Sequence, residues 1–265
     1  MESEVVIAGI TLRWYGIFVA SGIVTAALIS WRALRSIANS KLDWFWDLIS
    51  VAVVTGLIGA RAWHVWTDWH LYATDLLRAF AVWQGGLSIL GGILGGSLGI
   101  YLVWRNKKEW REVSFLAILD SLALGAPVGQ AIGRLGNWVN QEVYGFPTNL
   151  PWKIEIDPQY RLAGYENEVY YHPLFAYEAG LLLCFAGLAW LAVRKQWLQI
   201  SSGNVALAYL GYYGVVRFLL EFVRIDKRIL IGEIGLNQAI MGMLALGVFG
   251  YFVWQYLKQR QFSRE

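Results

Sequence analysis

The sequence predicts an all-α integral membrane protein with about seven transmembrane helices and a small extracytoplasmic cap between helices 4 and 5. Of its 265 residues, 57% are hydrophobic and only 15% are charged, whereas soluble domains average about 25% charged. Apolar stretches of about the 17–25 residues that cross a bilayer recur along the chain. They lie near residues 12–31, 44–66, 86–104, 115–132, 174–193, 205–222 and 236–257. We treat residues 1–265 as one transmembrane domain.

The first stretch is interpreted as a retained helix and not as a signal peptide. It has no basic segment ahead of it and no convincing small-residue cleavage site.

The second and third stretches contain an arginine and a run of glycines. For Arg61, and for Asp120 in the fourth stretch, the default interpretation is a mutual or other structural ion pair, because a charge inside a span needs a partner. The glycine run at 84–96 is typical of a close helix-packing surface. The alternative is a glycine-lined groove that admits a lipid chain.

The fourth stretch ends in the most informative motif, GRLGNWVNQE at 133–142. Glycines on either side of Arg134 allow close backbone approach and unusual dihedral angles, and a guanidinium suits a phosphate. Asn137 and Asn140 add neutral donors. The alternative is a helix-ending turn whose arginine extends to the lipid headgroups.

The segment 133–172 is the longest loop and is expected to form the extracytoplasmic cap. Its PTNLPWKIEID portion at 147–157 combines turn residues with an alternation of apolar and polar residues, which is typical of a short strand. Substrate specificity is expected to reside in this loop.

The fifth stretch begins at His172-Pro173 and carries Glu178. His172 is a candidate general base, and a helix-start histidine bonded to neighbouring backbone is an equal alternative. Cys184 is the single cysteine of the sequence, so an intrachain disulfide is excluded. It lies in an apolar run, which argues against a nucleophilic thiol belonging to the protein.

The sixth stretch carries Arg217, followed by Glu221 and Arg224 at spacings that place all three on one helix face. Ionisable residues in a span usually face a cavity or a partner. A ligand-binding arginine and a structural Arg–Glu pair are both consistent with the pattern.

The distribution of basic residues predicts the orientation. They concentrate in alternate loops, at 32–41, 105–111, 194–195 and 258–264, whereas the other loops are poor in basic residues or mix them with acids. The positive-inside rule places the basic loops in the cytoplasm, so the N-terminus is outside and the C-terminus, after the seventh stretch, is cytoplasmic. The net charge of +3 in such clusters suits lipid headgroups better than nucleic acid.

Six motifs together resemble the bacterial prolipoprotein diacylglyceryl transferase family. They span nearly the whole chain, at 12–16, 59–61, 83–88, 133–145, 172–178 and 217–224. The resemblance implies a multi-pass protein of the bacterial inner membrane. It also implies a reaction that transfers the diacylglyceryl group of phosphatidylglycerol to the lipobox cysteine of a prolipoprotein, forming a thioether and releasing glycerol-1-phosphate. The implied partners are phosphatidylglycerol, the lipobox peptide and membrane lipids, with no cofactor, metal or nucleic acid.

The resemblance also implies roles for individual residues. The expected catalytic residues are Arg134, Arg217, Asn137 and Glu142, with the two arginines holding the headgroup or the departing phosphate and Asn137 orienting it. The expected substrate-binding residues are these two arginines together with Tyr15, Asn140, Gly145, His172, Glu221 and Arg224.

The sequence departs from the family pattern at Leu90, where members often have a histidine proposed as catalytic, and at Val216 and Ala176. The proton acceptor is therefore open. Our hypothesis is that the positive field of the paired arginines activates the substrate thiol, while His172 is structural and Leu90 lines an acyl-chain groove. The alternative functions are an inactive lipid-binding relative and a small membrane transporter, although a transporter would normally show sequence repeats.

Overall fold

The computed structural model describes residues 4–7, 10–38, 42–82, 85–225, 229–231 and 234–262; Trp83 and Gln84 of the third motif lie outside them. This part of the chain contains seven α-helices, each matching one predicted apolar stretch. They are α1 (Trp14–Arg35), α2 (Phe45–Thr67), α3 (Ile89–Asn106), α4 (Phe115–Val139), α5 (Leu174–Arg194), α6 (Asn204–Leu220) and α7 (Leu236–Phe262). The predicted helical class is confirmed.

Five of these helices, α1, α2, α4, α5 and α7, are long and apolar enough to cross a membrane. Helix α6 is apolar but has 17 residues, and α3 has 18. The predicted total of seven crossings therefore depends on these two helices.

Helix α4 is longer than predicted and ends at Val139 instead of Ile132. Hydropathy falls at Arg134, but polar side chains do not end a helix when they have hydrogen-bond partners. Arg134 is bonded to Glu178, and Asn137 is bonded to both Arg134 and Glu142. Gly133 and Gly136 consequently have helical backbone and not the unusual dihedral angles expected. The close approach is real at Gly136, where a Cβ would lie 2.7 Å from the Tyr15 ring.

The described ranges also contain three antiparallel strand pairs. They join β1 (Glu4–Ile7) with β2 (Ile10–Arg13), β3 (Ile154–Glu155) with β4 (Tyr170–Tyr171), and β5 (Ile229–Ile231) with β6 (Ile234–Gly235). The β3–β4 pair lies in the loop between α4 and α5, which begins after Val139, and the strand expected in 147–157 is present there.

The loop between α4 and α5 has its own small core of Tyr144, Ile156 and Tyr171. The Tyr171 hydroxyl donates to the carbonyl of Tyr165 at 2.7 Å, and burial raises the pKa of its phenol. A side-chain clamp fastens the loop to the end of α4. In it, Gln141 donates to the Asp157 carboxylate at 2.6 Å and accepts from the Asp157 backbone N–H at 2.7 Å.

The chain divides into two compact units, Leu34–Leu119 and the remainder. In the first, α2 and α3 pack through facing glycines, because a Cβ on Gly91 would collide with the Gly59 carbonyl oxygen and one on Gly95 would lie 2.8 Å from the Gly59 Cα. The glycine run is thus a helix-packing surface. Arg61 in α2 donates to the backbone carbonyls of residues 78, 79, 85 and 86.

The other unit contains α1 and α4 to α7. Helices α1 and α4 approach closely at Gly22 and Gly129, where a Cβ on Gly22 would lie 2.5 Å from the Gly129 carbonyl oxygen. The fully buried Asp120 accepts hydrogen bonds of 2.8–3.0 Å from the backbone N–H groups of Ser201, Gly203 and Ala206, which caps the start of α6. The prediction of an ion pair is therefore wrong for both Asp120 and Arg61, because backbone groups supply the hydrogen-bond partners of the two side chains.

Candidate active site

A buried carboxylate links the two arginines that the sequence singled out. Glu178, in the second turn of α5, is 0% exposed. Its Oε1 accepts from Arg134 Nη2 at 2.6 Å, and its Oε2 accepts from Arg217 Nη1 at 2.9 Å. One side chain thus connects α4, α5 and α6, which come from separate parts of the sequence.

A hydrogen-bonded chain extends from Arg134 along the end of α4. Arg134 Nη1 donates to Asn137 Oδ1 at 3.0 Å, and Asn137 Nδ2 donates to Glu142 Oε1 at 2.8 Å. Asn140 donates to the same Glu142 oxygen at 3.3 Å. Because the arginine requires the Asn137 oxygen and the glutamate requires its amide nitrogen, the orientation of this buried amide is fixed.

The second arginine is shared between two carboxylates. Arg217 Nη2 lies 3.7 Å from Glu221 Oε2, and Arg224 Nη1 lies 3.8 Å from the same oxygen. Glu221 is buried, whereas the side chains of Arg217 and Arg224 are 13% and 22% exposed. The structural Arg–Glu pair therefore exists, and it leaves both guanidiniums partly accessible.

Tyr15 and Gly145 border this cluster. Tyr15, at the start of α1, packs against Gly136, two residues after Arg134. Gly145 pairs with Arg224 in a short antiparallel bridge, and a Cβ there would lie 2.7 Å from the Val223 carbonyl oxygen. Gly145 therefore has to be a glycine for the loop to contact the end of α6.

His172 is turned toward the loop between α4 and α5. Its Nδ1 lies 3.0 Å from the Tyr177 hydroxyl, which accepts a 2.7 Å hydrogen bond from Trp152 Nε1. The direction of this His172–Tyr177 hydrogen bond depends on which ring nitrogen carries the proton. This arrangement favours the structural interpretation of His172.

The charges of the cluster nearly cancel. Among the described side chains, Arg134, Arg217 and Arg224 contribute +3 and the buried Glu178 and Glu221 contribute −2, and Glu142, which is hydrogen-bonded through Asn137, contributes a further −1. The positive field invoked in our thiol-activation hypothesis is correspondingly weaker than two unpaired arginines would give.

Glu178 and two tyrosines are close to or part of the arginine cluster, although no sequence pattern assigned them to the site. An acid inside an apolar helix is a usable signal for Glu178 because such a residue needs a partner. Tyr213 and Tyr209 are buried and share one face of α6 with Arg217, because the three residues follow one another at intervals of four. Tyrosine is common in this sequence, so composition carries no signal for them.

Within the described ranges, no group of three or more His, Cys, Asp or Glu side chains is placed to hold a metal ion. The side chains that converge are arginines, carboxylates and amides, which suit an anionic headgroup.

The comparisons with known proteins agree with this chemistry. Residues 4–254 match the family model described as prolipoprotein diacylglyceryl transferase. A phosphatidylglycerol–prolipoprotein diacylglyceryl transferase of Cutibacterium acnes is 38% identical over 260 residues, covering 96% of this chain and 84% of the relative. Proteins of the same name from Synechocystis and Gloeobacter violaceus are each 35% identical and cover 96% and 98% of this chain, and 89% and 93% of their own lengths. The chain belongs to the prolipoprotein diacylglyceryl transferase family.

Proposed function

We propose that this protein transfers the diacylglyceryl group of phosphatidylglycerol to the lipobox cysteine thiol of prolipoproteins. A thioether forms and glycerol-1-phosphate is released. The names of its relatives support this function, and the observation that carries it here is the pair of partly accessible arginines held on either side of Glu178.

The reaction needs a site that stabilises negative charge on a phosphate. The substrate sulfur attacks the lipid carbon that bears the phosphate ester, and the electrons of the broken C–O bond remain on the phosphate oxygen. The phosphate therefore changes from a monoanion to a dianion as the bond breaks. Arg134 and Arg217 stabilise this developing charge, which is typically the largest contribution a site makes, while Asn137 and Glu142 keep Arg134 in position.

The nucleophile belongs to the substrate peptide. Cys184 is exposed on α5 and has no part in the reaction. An ordinary thiol has a pKa of about 8.5, so a few per cent is thiolate near neutrality and highly nucleophilic. Because neighbouring carboxylates offset most of the arginine charge, the cluster enlarges this fraction only modestly, and His172 is held by Tyr177. We therefore expect the transfer rate to rise with pH toward the pKa of the substrate thiol.

The site faces the outer leaflet of the bacterial inner membrane in this proposal. All seven helices cross the membrane, with the N-terminus outside and the C-terminus in the cytoplasm, as the alternation of basic loops indicates. The loop around β3 and β4 then forms an extracytoplasmic cap beside Arg134, where the lipobox peptide of a secreted precursor arrives.

A transfer assay with matched arginine variants tests the proposal. Purified wild-type protein, phosphatidylglycerol and a lipobox peptide should yield a peptide heavier by one diacylglyceryl group, together with glycerol-1-phosphate. Arg134→Lys and Arg217→Lys should each lose on the order of 10²–10³ in rate at normal folded yield, because a planar guanidinium and not a point charge is required. Arg78→Lys is the control, since that side chain is 66% exposed.

Two outcomes would contradict the proposal. A wild-type protein that binds the lipid but modifies no peptide would be the inactive lipid-binding relative. If either arginine variant transferred the diacylglyceryl group at the wild-type rate, the role of that arginine would be purely structural.

A further inference from the structure

Three buried polar atoms around Arg134 have no hydrogen-bond partner in the described part of the chain. They are Gln130 Oε1, Arg134 Nε and Tyr209 Oη. Buried polar atoms are nearly always satisfied in folded proteins, so each exception calls for a specific explanation such as a ligand.

Gln130 and Tyr209 lie on the two helices that carry the arginines, α4 and α6, and each precedes its arginine in the helix. Gln130 precedes Arg134 by four residues on α4, which places it one turn away on the same face. Tyr209 precedes Arg217 by two turns on α6, is only 6% exposed, and its ring lies 6.1 Å from that of Tyr213, one turn nearer to Arg217.

Their hydrogen-bonding character selects the ligand. Arg134 Nε is a donor, Gln130 Oε1 is an acceptor, and the Tyr209 hydroxyl is both. An alcohol, which also donates and accepts, can satisfy all three. An ammonium group only donates and would be repelled by the guanidinium, so an ethanolamine headgroup fits poorly.

We propose that Gln130, Arg134 and Tyr209 form a subsite for the hydroxyl groups of the terminal glycerol of phosphatidylglycerol. The inference rests on the proposed function, in which this glycerol leaves with the phosphate. In this arrangement Arg134 binds the phosphate through its Nη atoms. Its Nε, the Gln130 side-chain oxygen and the Tyr209 hydroxyl then bind the glycerol that is esterified to that phosphate. The subsite is thus a specificity determinant for the lipid headgroup.

Phosphatidylpropanol provides the probe, because its headgroup has three carbons and no free hydroxyl. The wild type should prefer phosphatidylglycerol by about tenfold or more in kcat/KM, since a site built to hydrogen-bond a hydroxyl rejects the analogue that lacks it. In Tyr209→Phe the preference should fall by about fivefold or more, through slower transfer from phosphatidylglycerol with little change for phosphatidylpropanol. Gln130→Leu should act in the same direction.

Tyr212→Phe is the matched control. Tyr212 lies on the same helix, and its hydroxyl donates to the Leu181 carbonyl at 2.8 Å. Its removal should leave the lipid preference unchanged. Equal losses on both lipids in Tyr209→Phe, or a wild type without preference, would overturn the subsite and leave an ordered water as the partner of these atoms.

Lipid binding separates this inference from the proposed function. Native mass spectrometry of the wild type with equal amounts of the two lipids should show preferential binding of phosphatidylglycerol, and Tyr209→Phe should lose it. That result supports the subsite even if no transfer occurs. Equal binding of both lipids by the wild type overturns it even if transfer is efficient.

Discussion

Glu178 is the residue whose replacement should disturb the site most. In Glu178→Gln the cluster loses one negative charge, and an amide N–H₂ group, which can only donate, replaces one of the two oxygens that accept from the arginines. Removing one partner of a buried ion pair typically costs about 3–5 kcal/mol. The two arginine side chains are 22% and 13% exposed, so solvent screens them only in part.

This loss should be visible as a lower melting temperature. At about 2–4 °C per kcal/mol for a chain of this size, we expect Glu178→Gln to melt about 6 °C or more below the wild type in detergent. Glu178→Asp keeps the charge but is one methylene shorter and can reach only one arginine well, so its melting temperature should be intermediate. Glu155→Gln, an exposed carboxylate in β3, is the control.

The transfer rate of the folded fraction should fall in the same order, because the separation of the two guanidiniums is no longer fixed. The measurement pairs a thermal-shift curve with kcat on phosphatidylglycerol for each variant. If Glu178→Gln kept both the melting temperature and the rate of the wild type, the bridging carboxylate would be incidental and our account of the site would fail.

Three further predictions concern the proton, the topology and the cap of α6. His172→Gln should keep most of its activity across pH 6–9 and Leu90→His should gain no more than a few-fold, whereas abolition in the first or a hundredfold gain in the second would establish a histidine base. In an otherwise cysteine-free protein in intact cells, an impermeant thiol reagent should label Glu155→Cys and not Lys107→Cys, and the reverse would invert the orientation. Asp120→Ala should lower the melting temperature, since losing a helix cap costs about 0.5–2 kcal/mol, while kcat of the folded protein stays unchanged; an altered kcat at normal stability would contradict a purely structural role.

The helices were predictable because apolar length alone specifies them. Each of the seven α-helices overlaps an apolar stretch of the sequence. The end of α4 was not predictable from hydropathy, because the polar residues at 134 and 137 indicate the end of a helix as long as their hydrogen-bond partners are unknown. Those partners, Glu178 and Glu142, are fixed only when the fold forms.

The candidate site was predictable in its arginines but not in its connections. The glycines and amides around Arg134 and the spacing from Arg217 to Arg224 are local patterns. The bridge through Glu178 joins residues 44 and 39 positions apart, and no local pattern reports such a contact. The same limit applies to Asp120, whose partners lie more than 80 residues away.

The most direct test of the central claim follows the bond that breaks. Phosphatidylglycerol carrying ¹⁸O in the ester oxygen between phosphorus and the diacylglyceryl carbon is incubated with the purified protein and a lipobox peptide. We expect the peptide to gain an unlabelled diacylglyceryl group on its cysteine and the label to appear in glycerol-1-phosphate, because the C–O bond breaks and the arginine pair retains the phosphate oxygen. A peptide without the lipid, or a label that stays with the diacylglyceryl group, would contradict the account.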